Sequence, residues 1–153
     1  MTYEKCKAAE IEVLGQLASR HGYDLTLTDD NCVVDGILAK EGHVYVVEIK
    51  TRPSMSGNMT SWLDQRTGQT YDSALFDVHK VNDVQAKARA LGATPIVAQY
   101  LPSVGKLYWW NLATTQPMET RSVSSQASMD GGTKKINRHF FKINDAKVGE
   151  MKL

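Results

Sequence analysis

The sequence predicts an α/β fold, a small mixed sheet with helices packed against it. Three observations carry that expectation: a helical period over residues 3–21, three strand-like segments directly after it, and a second capped helix at 77–91 followed by two further strands. In the first helix, Cys6, Ala9, Val13, Leu14 and Leu17 gather on one side at about 100° per residue. Gly22 then stops it. Residues 23–28 alternate Tyr23, Leu25 and Leu27 with polar neighbours, the pattern of a half-buried strand. After a turn at 28–31, residues 32–39 and 44–50 read as two strands joined by a hairpin connection at 40–43.

Residues 51–76 change character, being polar, opened by Pro53 and carrying Gly57 and Gly68. They predict a long loop of the functional or mobile kind. In it, Trp62 and Tyr71 either stack on exposed bases or pin the loop to the domain. Asp77 and Gly92 are the expected caps of the second helix. Strands follow at 94–101 and 106–112, around a turn at 102–105. The Ser-, Thr- and Gln-rich stretch 114–132 reads as a surface excursion, 136–143 as a last strand, and Asn144 as the start of a short helix. One domain spans 1–153, with its core over about 3–112 and 113–153 as an extension of it.

With 18 Lys and Arg against 17 Asp and Glu, the chain is not a charge-driven nucleic-acid coat, although a local basic groove remains open. Cys6 and Cys32 are too few for a disulfide framework and read as ordinary thiols of a reducing compartment. The N-terminus lacks a secretory signal and no apolar run suits a membrane span, so an intracellular, cytoplasmic protein without membrane association is expected. The four histidines show no zinc-ligand spacing, and no phosphate-binding glycine motif is present.

The chemistry collects around the hairpin. Asp35 and Glu48 are acids in otherwise apolar strands, and alternation sets Val46, Glu48 and Lys50 on one face with Val47 and Ile49 on the other. Charge buried there is costly unless a partner or a cation compensates it, so the pair predicts a divalent-cation site with a lysine beside it. On the first helix, Glu10 falls inside the apolar face, whereas Glu4 and Glu12 point away. A carboxylate where the pattern demands leucine breaks the local rule, as functional sites do.

Helix-borne Glu10, then Asp35, the hairpin and Glu48-Ile49-Lys50 resemble the PD-(D/E)XK nuclease superfamily, most of all Holliday junction resolvases and small phage-type recombination or repair endonucleases. Val34 stands where that motif has proline. The resemblance implies a restriction-endonuclease-like α-β-β-β-α-β core and a DNA endonuclease dependent on Mg²⁺ or Mn²⁺. It further implies that Asp35 and Glu48 hold the metal, Glu10 completes the site and Lys50 positions the attacking water. Branched DNA is the implied partner, and a homodimer is expected because two symmetric cuts want two sites. Hard oxygen donors suit Mg²⁺ independently of the family.

Basic residues that would meet phosphates are Lys50, Arg52 and Arg66 around the long loop, Lys80 on the second helix, and Lys134, Lys135 and Arg138 near the C-terminus. Gln85, on the inner face of the second helix, is a supporting polar candidate. Rival readings are an exonuclease or a restriction or nicking enzyme with the same site, and a catalytically silent DNA-binding or interaction module.

Overall fold

A computed structural model describes residues 2–28, 34–125 and 134–153. Helix α1 (Tyr3–His21) is N-capped by the Thr2 side chain and ends at Gly22, whose φ of 70° is the left-handed conformation that a residue without Cβ adopts freely. Three antiparallel strands follow, β1 (Asp24–Leu27), β2 (Gly36–Lys40) and β3 (His43–Thr51). Glu41 and Gly42, both at positive φ, make the tight turn between β2 and β3. Strand β2 is shorter than the alternation predicts. Residues 29–33, Cys32 among them, lie outside the described ones, and Val34 and Asp35 form a bend before the strand rather than part of it.

The predicted loop at 51–76 is ordered structure. Strands β4 (Met55–Gly57), β5 (Trp62–Asp64) and β6 (Thr70–Tyr71) make a small antiparallel sheet, and β7 (Ser73–Asp77) follows. Two local devices fold it. The Asn58 carboxamide oxygen accepts from the Thr60 and Ser61 amides, and the Asp64 carboxylate accepts from the Arg66 amide, each an Asx-type turn. At Gly57 the backbone passes so close to its partner that a Cβ would meet the Ser61 carbonyl oxygen at 2.2 Å. Trp62 is 2% exposed and sits edge-on against Tyr108 and Trp110, so it pins this segment to the core instead of reaching for bases. Composition misleads here because one buried aromatic and two turns suffice to organise a polar stretch.

Helix α2 (Val78–Leu91) leads to β8 (Thr94–Leu101) and β9 (Lys106–Asn111), as expected. Strand β10 (Glu119–Ser125) occupies part of the predicted excursion and pairs with β11 (Lys134–Lys142), while 126–133 lie outside the described residues. A 3₁₀ turn (Ile143–Asp145) replaces the expected short helix, and β12 (Lys147–Glu150) closes the chain.

The main sheet has six strands in the order β1-β2-β3-β8-β9-β12, antiparallel throughout except for the parallel pair β3 and β8. A second sheet, β10-β11-β7, runs into α2. Strand β3 is buried on both faces. Val46 joins Val81, Val84, Ala88 and Val97 on the α2 side, and Val47 and Ile49 join Ala9, Val13, Leu14 and Ala18 on the α1 side. Among the described residues no helix is long and apolar enough to cross a membrane.

Truncating Trp62 removes the largest apolar contact between the β4–β6 sheet and the core. Trp62→Ala is expected to cost about 3–5 kcal/mol in denaturant unfolding, the range for a buried aromatic. Tyr71→Ala, at a half-buried position, should cost far less. Equal losses for the two would show that Trp62 is not the anchor.

Candidate active site

The parallel pair ends where α2 begins, and the carboxyl end of a central strand is where such sheets leave a crevice. Strand β2 stops pairing at Gly36, opposite Val47, so β3 runs on with a free edge. Asp35 covers that edge. Its amide donates to the Val47 carbonyl at 3.1 Å, and its Oδ2 accepts the Ile49 amide at 2.6 Å. The other oxygen, Oδ1, takes the Lys7 ammonium at 3.3 Å. Asp35 thus reaches the site from a bend and not from within a strand.

Glu48 points toward α2, with a side chain 11% exposed and the Lys80 ammonium 4.0 Å from Oε1. Glu10 comes from the α1 side, half-buried, and its Oε2 accepts from the Thr51 hydroxyl at 3.1 Å. The helix phase read from the sequence places it so, with Glu4 and Glu12 exposed. Burial, and then the charge of Asp35, push both glutamates upward, Glu48 to about 8. Lys50 is exposed at the lip, where its charge partly offsets that push on each glutamate.

These acids approach from three directions. Among the described residues, no three His, Cys, Asp or Glu side chains stand as a ready ion cage. The donor set nevertheless fits a hard cation. All three donors are carboxylate oxygens, and the two glutamates are held in a state that an added positive charge would relieve.

Beside Glu48 lies a cleft of about 130 Å³ lined by Lys50, Arg52, Lys80 and Arg138 with Asp77 and Phe76. Asp77 stands at the N-cap of α2, but its side chain makes no capping bond and instead pairs with Arg138 at 2.8 Å. The other basic candidates lie apart. Arg66 is mostly exposed and folds back on Asp64, Lys135 is exposed on β11, and the Lys134 side chain lies outside the described ones. Gln85 is half-buried on α2 and does not line the cleft, the fully buried positions there being Val81, Val84 and Ala88. A larger cavity of about 480 Å³ on the α1 side, walled by Tyr23, Tyr45 and Trp109, contains none of the three site carboxylates.

Lys7, Thr51 and Gln99 escaped the sequence reading. Lys7 precedes Glu10 by one helical turn and so shares its face, a signal that was available. Gln99 is 1% exposed in mid-strand and bonds to Arg52 and to the Leu75 carbonyl, pairings that only the tertiary structure creates.

No protein-family model and no curated protein matches this sequence. Among solved structures, the chain is similar to Hjc of the archaeal hyperthermophile Archaeoglobus fulgidus, a Holliday junction resolvase. The TM-score is 0.51 at 14% identity, over 88% of this chain and 96% of that one. The α/β fold, a central mixed sheet flanked by helices, is shared.

Two outcomes follow from the geometry. Because the folded pKa of Glu48 lies above its unfolded value near 4.5, the folded protein holds the extra proton between 4.5 and about 8. Stability in chelator should therefore fall as pH rises through that window, and Glu48→Gln should flatten the fall in melting temperature; an unchanged slope would remove the buried-charge account. Lys7→Met removes the cation from Asp35, so it should lower the melting temperature in chelator and enlarge the rise that Mg²⁺ produces. A smaller Mg²⁺ shift would mean that Lys7 does not compete for that oxygen.

Proposed function

We propose that the chain is a metal-dependent DNA endonuclease acting on branched DNA. The observation that carries this reading is buried Glu48 within electrostatic reach of edge-held Asp35, with Lys50 and Lys80 beside it, at the carboxyl end of β3. The fold shared with a Holliday junction resolvase supports the same reading and suggests the substrate class.

In this reading Asp35 and Glu48 hold Mg²⁺ or Mn²⁺ and Glu10 completes the site from α1. The ion supplies water activation and neutralisation of the charge that builds on the phosphate. The chain supplies the rest. The Ile49 amide fixes the Asp35 carboxylate, and Thr51 fixes that of Glu10, so neither acid must be ordered when substrate arrives. Lys50, exposed at the lip, orients the attacking water and stabilises developing charge. Arg52, Lys80 and Arg138 meet the phosphate backbone at the cleft, Arg66 and Lys135 offer exposed charge outside it, and two copies of the chain serve the two strands of a junction.

Cleavage of a four-way junction and of an equally long linear duplex tests this directly. Wild type should cut the junction faster, with Mg²⁺ or Mn²⁺ and not in chelator, while Ca²⁺ supports binding with little cutting. Asp35→Asn and Glu48→Gln should each reduce cutting by about a thousandfold or more with DNA affinity largely kept, since each removes charge and keeps shape. Robust cutting in chelator would sink the metal reading, equal rates on both DNAs the junction reading, and progressive shortening from ends would favour an exonuclease.

A further inference from the structure

Arg52 is a half-buried cation whose hydrogen-bond partners are all neutral. Its Nε donates to the Gln99 carboxamide oxygen at 3.3 Å and its Nη2 to the Leu75 carbonyl at 3.0 Å. Gln99 is itself locked, donating from Nε2 to the same carbonyl at 2.8 Å. Among the described residues no carboxylate stands within ion-pair distance of this guanidinium. The nearby Asp77 is engaged by Arg138, and that second guanidinium faces the same cleft. Burial and the charge of Arg138 pull Arg52 down to about 10. A half-buried cation without a counter-ion carries part of the cost of desolvation, and here a buried glutamine holds its orientation fixed.

Lys80 and Lys50 bring the cations of the lining to four, against two carboxylates, Glu48 with Lys80 at 4.0 Å and Asp77 with Arg138. The cleft of about 130 Å³ has room for roughly four waters, the scale of one oxyanion group with some hydration. It is too small for a nucleoside or other drug-sized ligand, which takes about 300 Å³ or more. Planar guanidinium forks suit phosphate oxygens in particular.

We infer that this cleft is a phosphate subsite, in which Arg52, oriented by Gln99, and Arg138 grip one phosphate beside the Asp35 and Glu48 carboxylates. Its place along a DNA strand rests on the nuclease reading; its anion binding does not. The phosphate is either an internal diester next to the cut or a terminal monoester. Arg138 need not leave Asp77 for this, because Asp77 Oδ1 takes its Nε and the terminal guanidinium N–H groups can still donate to the phosphate.

The test uses the full chain in chelator at low salt, titrated with inorganic phosphate and followed by calorimetry and by melting temperature. Saturable binding is expected, with Arg52→Gln weakening it about tenfold or more, since a charge-assisted hydrogen bond contributes about 1.5–3 kcal/mol. Should Arg52→Gln fail to fold, Arg138→Gln on β11 provides the same test and should weaken binding several-fold. Arg89→Gln, at the exposed far end of α2, should bind as wild type. Oligonucleotides with and without a 5′-phosphate separate the sources. A loss of affinity without the terminal phosphate that disappears in Arg52→Gln marks a monoester site, and equal affinity reduced alike by Arg52→Gln marks a diester site. No saturable binding by wild type, or unchanged binding in both Arg52→Gln and Arg138→Gln, overturns the subsite. Junction cutting by wild type without phosphate binding would remove the subsite alone, and phosphate binding without cutting of any DNA would remove the nuclease reading alone.

Discussion

The 2.6 Å hydrogen bond from the Ile49 amide to Asp35 is the contact on which the site depends. Strand β3 outruns β2, and an unpaired strand edge must find an acceptor. Asp35 supplies it with a side chain, at the place where another residue of β2 would have supplied a carbonyl. A charged acceptor makes a stronger bond than a neutral one, and it also leaves a carboxylate at the end of the sheet. The structural need of an edge and the chemical need of a site are met by one group. Lys7 balances the resulting charge from α1.

From that contact the other two acids take their character. Glu48 and Glu10 lie on opposite sides of β3, one toward α2 and one toward α1, and Asp35 at the edge acts electrostatically on both. Burial would raise either glutamate alone; the shared neighbour adds to it. The apolar packing of β3 on both faces keeps the backbone from yielding, so the repulsion is relieved by a proton on Glu48 rather than by movement of the strand. Stability is given up at these carboxylates, and the surrounding core offsets it.

The C-terminal segment is part of the same assembly. Pairing of β11 with β7 sets Arg138 opposite Asp77, which removes the expected cap from α2 and turns a second guanidinium toward the cleft. Trp110 donates from its indole to the Lys142 carbonyl at 3.0 Å, and Phe141 packs against Trp110 and Phe76. Residues far beyond the β8 and β9 hairpin thereby hold one wall of the site.

The sequence by itself determined the local elements with strong periodicity. Helices α1 and α2, the β2–β3 turn and strands β3, β8 and β9 follow from apolar spacing and from glycine at positive φ, interactions that neighbours along the chain settle among themselves. The inward phase of Glu10 was legible for the same reason, since a helix wheel needs no partner. The β4–β6 sheet and β10 were not, because short polar strands are stabilised by what they pair with and by one distant anchor, Trp62. Nor could sequence show that Asp35 leaves the strand to meet Ile49, that Glu10 and Glu48 straddle β3, or that Arg52 finds only neutral partners. Those facts depend on which chain segments meet in space, and burial and charge act on a side chain only after they have met.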